Sequence, residues 1–190
     1  MEIDLEHSHL LIAQFAERAT PLGSVVDRAA DSAGAAGSIA ALVKHAGTDV
    51  ISVAPVVSER APDLIAALAA AGVTIQVIAT PEDARDRPVG LSLATGAIAE
   101  TGSVLLDERQ LADRAASLMT LHSIVLVAAS DIIPSLDSTP ALLREIAGRS
   151  GGGYASFVTG PSRTADIEMS LTVGVQGPGQ VTILFVDSLT

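Results

Sequence analysis

A chain of 190 residues that is 48% hydrophobic can bury a full core and most simply forms one domain; with aromatic residues at 2%, Ala, Val, Ile and Leu must fill that core. Acidic residues outnumber basic ones 22 to 11, a formal net charge of −11, so neither nucleic acid nor an anionic membrane surface is an expected partner. The absence of cysteine excludes disulfides, a Cys nucleophile and thiolate-ligated iron–sulfur clusters.

Residues 1–9 carry three acids and two histidines before the first apolar run and lack the positive start of a secretory signal, and no apolar run approaches the roughly 20 residues of a membrane span. The expected location is the cytoplasm. Residues 5–19 read as a helix, with Leu10, Leu11, Ala13, Phe15 and Ala16 apolar and Glu17 and Arg18 charged, stopping before Thr20-Pro21. Residues 29–37 mix Ala, Gly, Ser and Asp and read as a flexible connection; Ser38 is then expected to cap a helix over 39–46 that ends at Gly47. A strand follows over 49–56, and Pro55 within it marks its end or an edge position. Pro62 and Gly72 frame a helix, and 73–79 reads as a fully buried strand. The same grammar returns with a strand over 124–128, a helix capped by Thr139 and opened by Pro140 that stops at Gly148, and strands over 155–158 and 181–186. Gly151-Gly152-Gly153 reads as a loop tip. Nearly continuous apolar strands separated by single helices imply an α/β fold with a parallel sheet covered on both faces. We divide the chain into a helical region, 1–48, packed on the same domain, and an α/β core, 49–190.

Ligands of an open parallel sheet bind outside the carboxyl ends of its strands, so strand-to-helix junctions are the first places to look for chemistry. One is Thr159-Gly160-Pro161-Ser162-Arg163-Thr164-Ala165-Asp166-Ile167-Glu168. Gly160 permits an unusual backbone angle, Pro161 stiffens the turn, and Ser162 or Thr164 can cap a following helix whose free N–H groups, beside Arg163, suit a carboxylate or phosphate. Alternatively this is a plain strand-to-helix turn in which Asp166 and Glu168 complement the helix dipole. The other junction is Ala94-Thr95-Gly96-Ala97-Ile98-Ala99-Glu100-Thr101-Gly102-Ser103, where Glu100 interrupts a small, apolar stretch and is either a nucleophile or base, or a turn carboxylate satisfied by donors from Thr101, Gly102 and Ser103. His122 opens a strand and reads as a hydrogen-bonded structural residue or a catalyst. His7 and His9 could chelate a metal only from an extended, frayed terminus, and Lys44 is notable only as the sole lysine, so no metal site is expected. No Gly-x-Gly-x-x-Gly opens a helix and no Walker motif occurs.

The string GPSRTADIE at 160–168, the turn Gly174-Val175-Gln176-Gly177-Pro178 and a last strand ending at Asp187 resemble the C-terminal signature of the lactate utilization protein C (LutC/YkgG, LUD domain) family. The element over 97–103 and His122 before a Val/Ile strand match it in order, so the resemblance covers residues 50–188. It implies a Rossmann-like parallel sheet flanked by helices, as in the NagB/RpiA/CoA-transferase group. It further implies a role in bacterial growth on lactate beside iron–sulfur partner proteins that oxidise L-lactate to pyruvate. No cofactor is expected on this chain, and a homo-oligomer is compatible with it. Gln176 stands where the family usually has His. On this resemblance the chain is expected to be an accessory or ligand-binding subunit. Its expected pocket joins Glu100, Thr101 and Gly102 to Gly160, Ser162, Arg163 and Thr164, with Arg163 clamping a small carboxylate and Asp166 orienting Arg163. The alternative is an acyl-transfer enzyme using Glu100, since Glu100-Thr101-Gly102 resembles the Glu-x-Gly nucleophile setting of class I CoA-transferases.

Overall fold

The computed structural model describes residues 5–149, 153–165, 171–174 and 176–189. Helix α1 (Leu5–Ala19) leads through a 3-10 turn (Thr20–Leu22) into β1 (Ser24–Asp31) and α2 (Ser32–His45). Then come β2 (Val50–Val53), α3 (Pro55–Arg60), α4 (Pro62–Ala70), β3 (Thr74–Val77), α5 (Pro81–Ala84), β4 (Val89–Leu93), β5 (Gly96–Ile98) and β6 (Ser103–Asp107). The chain continues through α6 (Leu111–Leu118), β7 (His122–Ala128), β8 (Ile132–Ile133), α7 (Thr139–Ala147), β9 (Ala155–Val158), β10 (Arg163–Ala165), β11 (Leu171–Val173) and β12 (Gln180–Ser188).

Six strands form a parallel sheet in the order β1-β12-β7-β4-β2-β3. Successive side chains of a strand point to opposite faces, and both faces of the inner strands β12, β7, β4 and β2 are covered, which is why their sequences are largely apolar runs. Ile124, Leu126, Leu184 and Val186 pack with residues of α2, α3, α4 and α6 on one face. Val125, Val127, Ile183 and Phe185 pack on the other with α1 and with a second, four-stranded sheet ordered β8-β5-β6-β9. Helix α1 docks there through Leu11, Ile12 and Phe15, whose ring meets Phe185 edge-on at 5.2 Å. From β2 the chain moves outward to β3, then returns to β4 and proceeds through β7 to β12. The direction of winding therefore reverses between β2 and β4.

Several expectations are corrected. Residues 29–37 are not a flexible connection: the end of β1 runs directly into α2, which Asp31 rather than Ser38 caps, its Oδ1 accepting from the Gly34 N–H at 2.8 Å. The small residues serve close packing, since Ala35 and Ala36 are buried against the sheet. The strand expected over 49–56 stops at Val53, and Pro55 instead opens α3, where its missing N–H costs no helical hydrogen bond. β3 is a sheet edge paired only with β2 and is partly exposed rather than fully buried. Thr139 lies inside α7, and its hydroxyl donates to the Leu136 carbonyl instead of capping the helix. β9 belongs to the edge of the second sheet, not to the parallel one, and pairs antiparallel with β6. No helix starts at 162–164: β10 pairs antiparallel with β11, so the expected helix-terminal anion site is absent there. Of the expected glycine loop tip, Gly151 and Gly152 lie outside the described residues.

Candidate functional site

The two junctions singled out in the sequence do meet. Pairing of Val104 with Val158 brings Ser103 beside Thr159, and their hydroxyls share a hydrogen bond of 2.7 Å. Both segments then close on the end of α1. Gly102 has φ +65°, and a Cβ there would lie 2.6 Å from the Ala19 nitrogen; Gly160 has φ +91°, and a Cβ there would lie 2.8 Å from the Leu22 carbonyl oxygen. Only glycine meets both the backbone angle and the close approach. The same Leu22 oxygen accepts a hydrogen bond from Arg163 Nη2 at 2.6 Å. Ser162 is fixed by its backbone, donating to the Pro178 carbonyl and accepting from the Gly174 N–H, both at 2.9 Å.

Glu100 points away from this clasp. It is exposed, and its Oε2 accepts from the Leu136 N–H at 3.0 Å, not from Thr101, Gly102 or Ser103. It lines neither the cavity beside Gly160 and Ser162 nor the pocket beside Asp107. Thr101 Oγ1 is buried without a partner among the described residues. The Thr164 backbone pairs opposite Thr172, while Asp166, the expected partner of Arg163, lies outside the described residues.

Gly160 and Ser162 help to line a cavity of about 220 Å³ between the two sheets, with Thr159, Ser123, Gln176 and Leu106 among its other walls. Hydroxyls and one amide give it hydrogen-bonding capacity, but among the described residues no Arg, Lys or His lines it. It lies at the amino end of the parallel sheet, where Gln180 and His122 begin β12 and β7, rather than at the expected carboxyl end. Its motif follows β9, and β9 is outside the parallel sheet. His122 nearby shares a 2.8 Å hydrogen bond with the Thr182 hydroxyl; burial, with the positive charge of His45 adding to it, holds its pKa below the ordinary histidine value. His7 and His9 lie within α1, two positions apart and hence on different faces, with His9 Nε2 3.8 Å from Asp187. Lys44 is exposed in the last turn of α2.

A second concentration of polar groups stands at the opposite end of the sheet. A pocket of about 360 Å³ opens where β2 and β4 end, walled by Arg60 on α3, Thr95 after β4, Asp107 at the end of β6, then Arg109, Glu145 and Arg149. Asp107 Oδ2 accepts from Arg109 Nε at 3.4 Å and from Arg149 Nη1; Arg149 Nη2 also reaches Glu145 at 2.9 Å. Asp113 at the margin is occupied structurally, accepting from the Val56 and Gln110 N–H groups at 3.1 and 3.2 Å. The charged run Asp107-Glu108-Arg109 directly after an apolar strand was the available sequence signal, but Arg60 and Arg149 reach the pocket from distant segments.

A family model described as the LUD domain matches residues 12–186. The chain belongs to the LUD domain family. Among curated relatives, this LUD domain is similar to Lactate utilization protein C 1 of Bacillus mycoides (strain KBAB4), 36% identical over 106 residues that cover 55% of this chain and 45% of that protein. It is likewise similar to Lactate utilization protein C of Oceanobacillus iheyensis, 36% identical over 114 residues, 59% of this chain and 47% of that protein. The match thus spans about half the length of these curated relatives. Among solved structures, a DUF162 family protein from Deinococcus radiodurans aligns with a TM-score of 0.63 at 21% identity, covering 94% of this chain and 98% of that one; the LUD domain shares its fold. No helix among the described residues is long and apolar enough to cross a membrane.

Proposed function

We propose that this LUD domain serves lactate utilization as a ligand-handling component without a redox group of its own, acting beside iron–sulfur partner proteins in the oxidation of L-lactate to pyruvate. The observation that carries this reading is the family match over residues 12–186, joined to relatives whose printed names are lactate utilization protein C. Converting the lactate alcohol to a ketone releases two electrons and two protons. These 190 residues contain no cysteine to ligate a cluster, so partners are assigned the electron transfer.

Two pockets with fixed polar walls support the ligand-handling part of the reading. In the one bounded by the motif, Thr159, Ser162 and Gln176 offer hydroxyl and amide groups. Arg163 gives one Nη2 donor to the Leu22 carbonyl, which fixes its position and leaves its other donors for a carboxylate. The test is genetic and biochemical. In a bacterium growing on L-lactate as sole carbon source, loss of the gene should abolish that growth, the intact gene should restore it, and the tagged protein should retain iron–sulfur proteins on purification. Undiminished growth on lactate after deletion would sink the reading.

A further inference from the structure

We propose that the polar pocket where the winding of the sheet reverses binds a small 2-hydroxycarboxylate, its carboxylate held by Arg60 and Arg109 and its hydroxyl donated to Asp107. The identity of the ligand class rests on the lactate-utilization reading; the location does not. The connections leaving the carboxyl ends of β2 and β4 part here, α3 and α4 packing on one face of the sheet and β5 on the other, and a crevice between such connections is where open α/β sheets admit ligands. The volume of about 360 Å³ lies in the range of small-molecule sites.

Charge supports the same place. The chain has a net charge of −11, so its overall field repels an anion and only local cations can hold one. Three of its arginines, Arg60, Arg109 and Arg149, line this pocket among the carboxylates Glu59, Asp107, Asp113 and Glu145, whereas among the described residues no arginine lines the cavity at the amino end. Arg149 is committed to Asp107 and Glu145. Arg109 touches Asp107 only through Nε at 3.4 Å, with its side chain 63% exposed, and Arg60 is exposed with no ion pair among the described residues. Two guanidinium groups thus retain donors for a carboxylate.

Asp107 supplies the second requirement. Its side chain is 8% exposed; Oδ2 accepts from two arginines, while Oδ1 is buried and has no donor among the described residues. A buried carboxylate oxygen without a donor is costly and calls for a ligand or water that can donate. A single small molecule that brings a negative charge to Arg60 and Arg109 and a hydroxyl to Asp107 satisfies both sides. A 2-hydroxycarboxylate carries these groups on adjacent carbons.

Isothermal titration calorimetry on the full chain tests this with L-lactate, glycolate, propionate and inorganic phosphate. L-lactate and glycolate should bind, and propionate, which lacks the hydroxyl, should bind at least about tenfold more weakly. The double variant Arg60→Gln/Arg109→Gln should weaken L-lactate binding by at least about tenfold at an unchanged melting temperature, because both side chains are exposed. Equal affinity for propionate, tighter binding of phosphate, no binding of L-lactate, or undiminished binding by the double variant would each overturn the proposal. So would loss of binding in Ser162→Ala, which would locate the ligand at the amino end. Growth on lactate separates the two ideas: gene-dependent growth without L-lactate binding here defeats the pocket alone, and binding here without gene-dependent growth defeats the functional reading alone.

Discussion

The two ends of the parallel sheet are built on different principles. At the amino end, closely spaced residues of one motif, Gly160, Ser162 and Arg163, join Gly102 and Ser103 in a clasp around the end of α1, and the cavity beside it is walled by small hydroxyls and apolar groups. At the carboxyl end, charges scattered along the chain, Arg60, Asp107, Arg109 and Arg149, gather because the winding of the sheet leaves an opening there. A compact sequence signature can therefore record a steric requirement, where backbone must touch backbone, as readily as a chemical one. Binding groups brought together by topology leave no such string.

The comparison can be broken most severely by removing the strand both ends share. Ending the chain at Gln180 deletes β12 and with it Ile183, Leu184, Phe185 and Val186, all essentially buried. Each is worth about 1.5–3 kcal/mol of burial, so the sum rivals a typical domain's whole stability of about 5–15 kcal/mol. Circular dichroism should show no cooperative melting; a folded, monomeric truncation would refute the interior position of β12. Next in size, Gly102→Ala or Gly160→Ala should each cost about 1–3 kcal/mol, lowering the melting temperature by about 5 °C, yet leave L-lactate affinity at the opposite end within about twofold. A large affinity loss at normal stability would instead make the clasp a binding element.

Arg163→Ala sharpens the contrast with a smaller effect. Loss of its hydrogen bond to Leu22 should cost no more than about 1 kcal/mol, visible as a fall of a few degrees in calorimetry, with lactate oxidation by the assembled system retained. Abolished oxidation at an unchanged melting temperature would return the carboxylate clamp to Arg163. Smallest is a difference in pH response. At the amino end, burial lowers the pKa of His122 in the folded state, so its contribution is present above about pH 6.5 and is lost as pH falls through the lowered value. At the carboxyl end, burial raises the pKa of Asp131 against the opposing effects of Ser130 and Arg60; its contribution is present below about pH 3.9 and lost as pH rises through the raised value. Melting temperatures of His122→Phe and Asp131→Asn measured across pH should remove these dependences separately.

Most of the parallel sheet was legible because its strands announce burial on both faces: the runs at 124–128 and 181–186 form its interior. Residues 29–37 were not, because an Ala/Gly-rich segment has low apparent structure yet packs closely once a sheet is beneath it, as Ala35 and Ala36 do. The second sheet was hidden for a related reason: β5 has three residues and β8 two, too few for alternation to register. Strands following 160 were masked by Gly160-Pro161-Ser162, which reads like the opening of a helix. For the candidate site, the approach of the two junctions was legible from their resemblance and order. The direction of Glu100 toward Leu136, the attachment of Arg163 to Leu22 and the gathering of Arg60 with Arg149 depend on partners distant in sequence.

Edge strand β1 has one hydrogen-bonded neighbour in the sheet, and that neighbour is β12. The pair is fastened across the join by Arg28 and Asp187, 159 residues apart, through Nε to Oδ1 at 2.8 Å and Nη2 to Oδ2 at 2.5 Å. During synthesis, β1 leaves the ribosome long before its partner exists, and β7 must also wait for the strand that fills the gap beside it. Such distant pairing slows folding and keeps apolar strand faces exposed in the nascent chain. Completion of the sheet therefore waits for β12, and a nascent chain that stops short of residue 180 carries two unpaired strand edges for chaperones to shield.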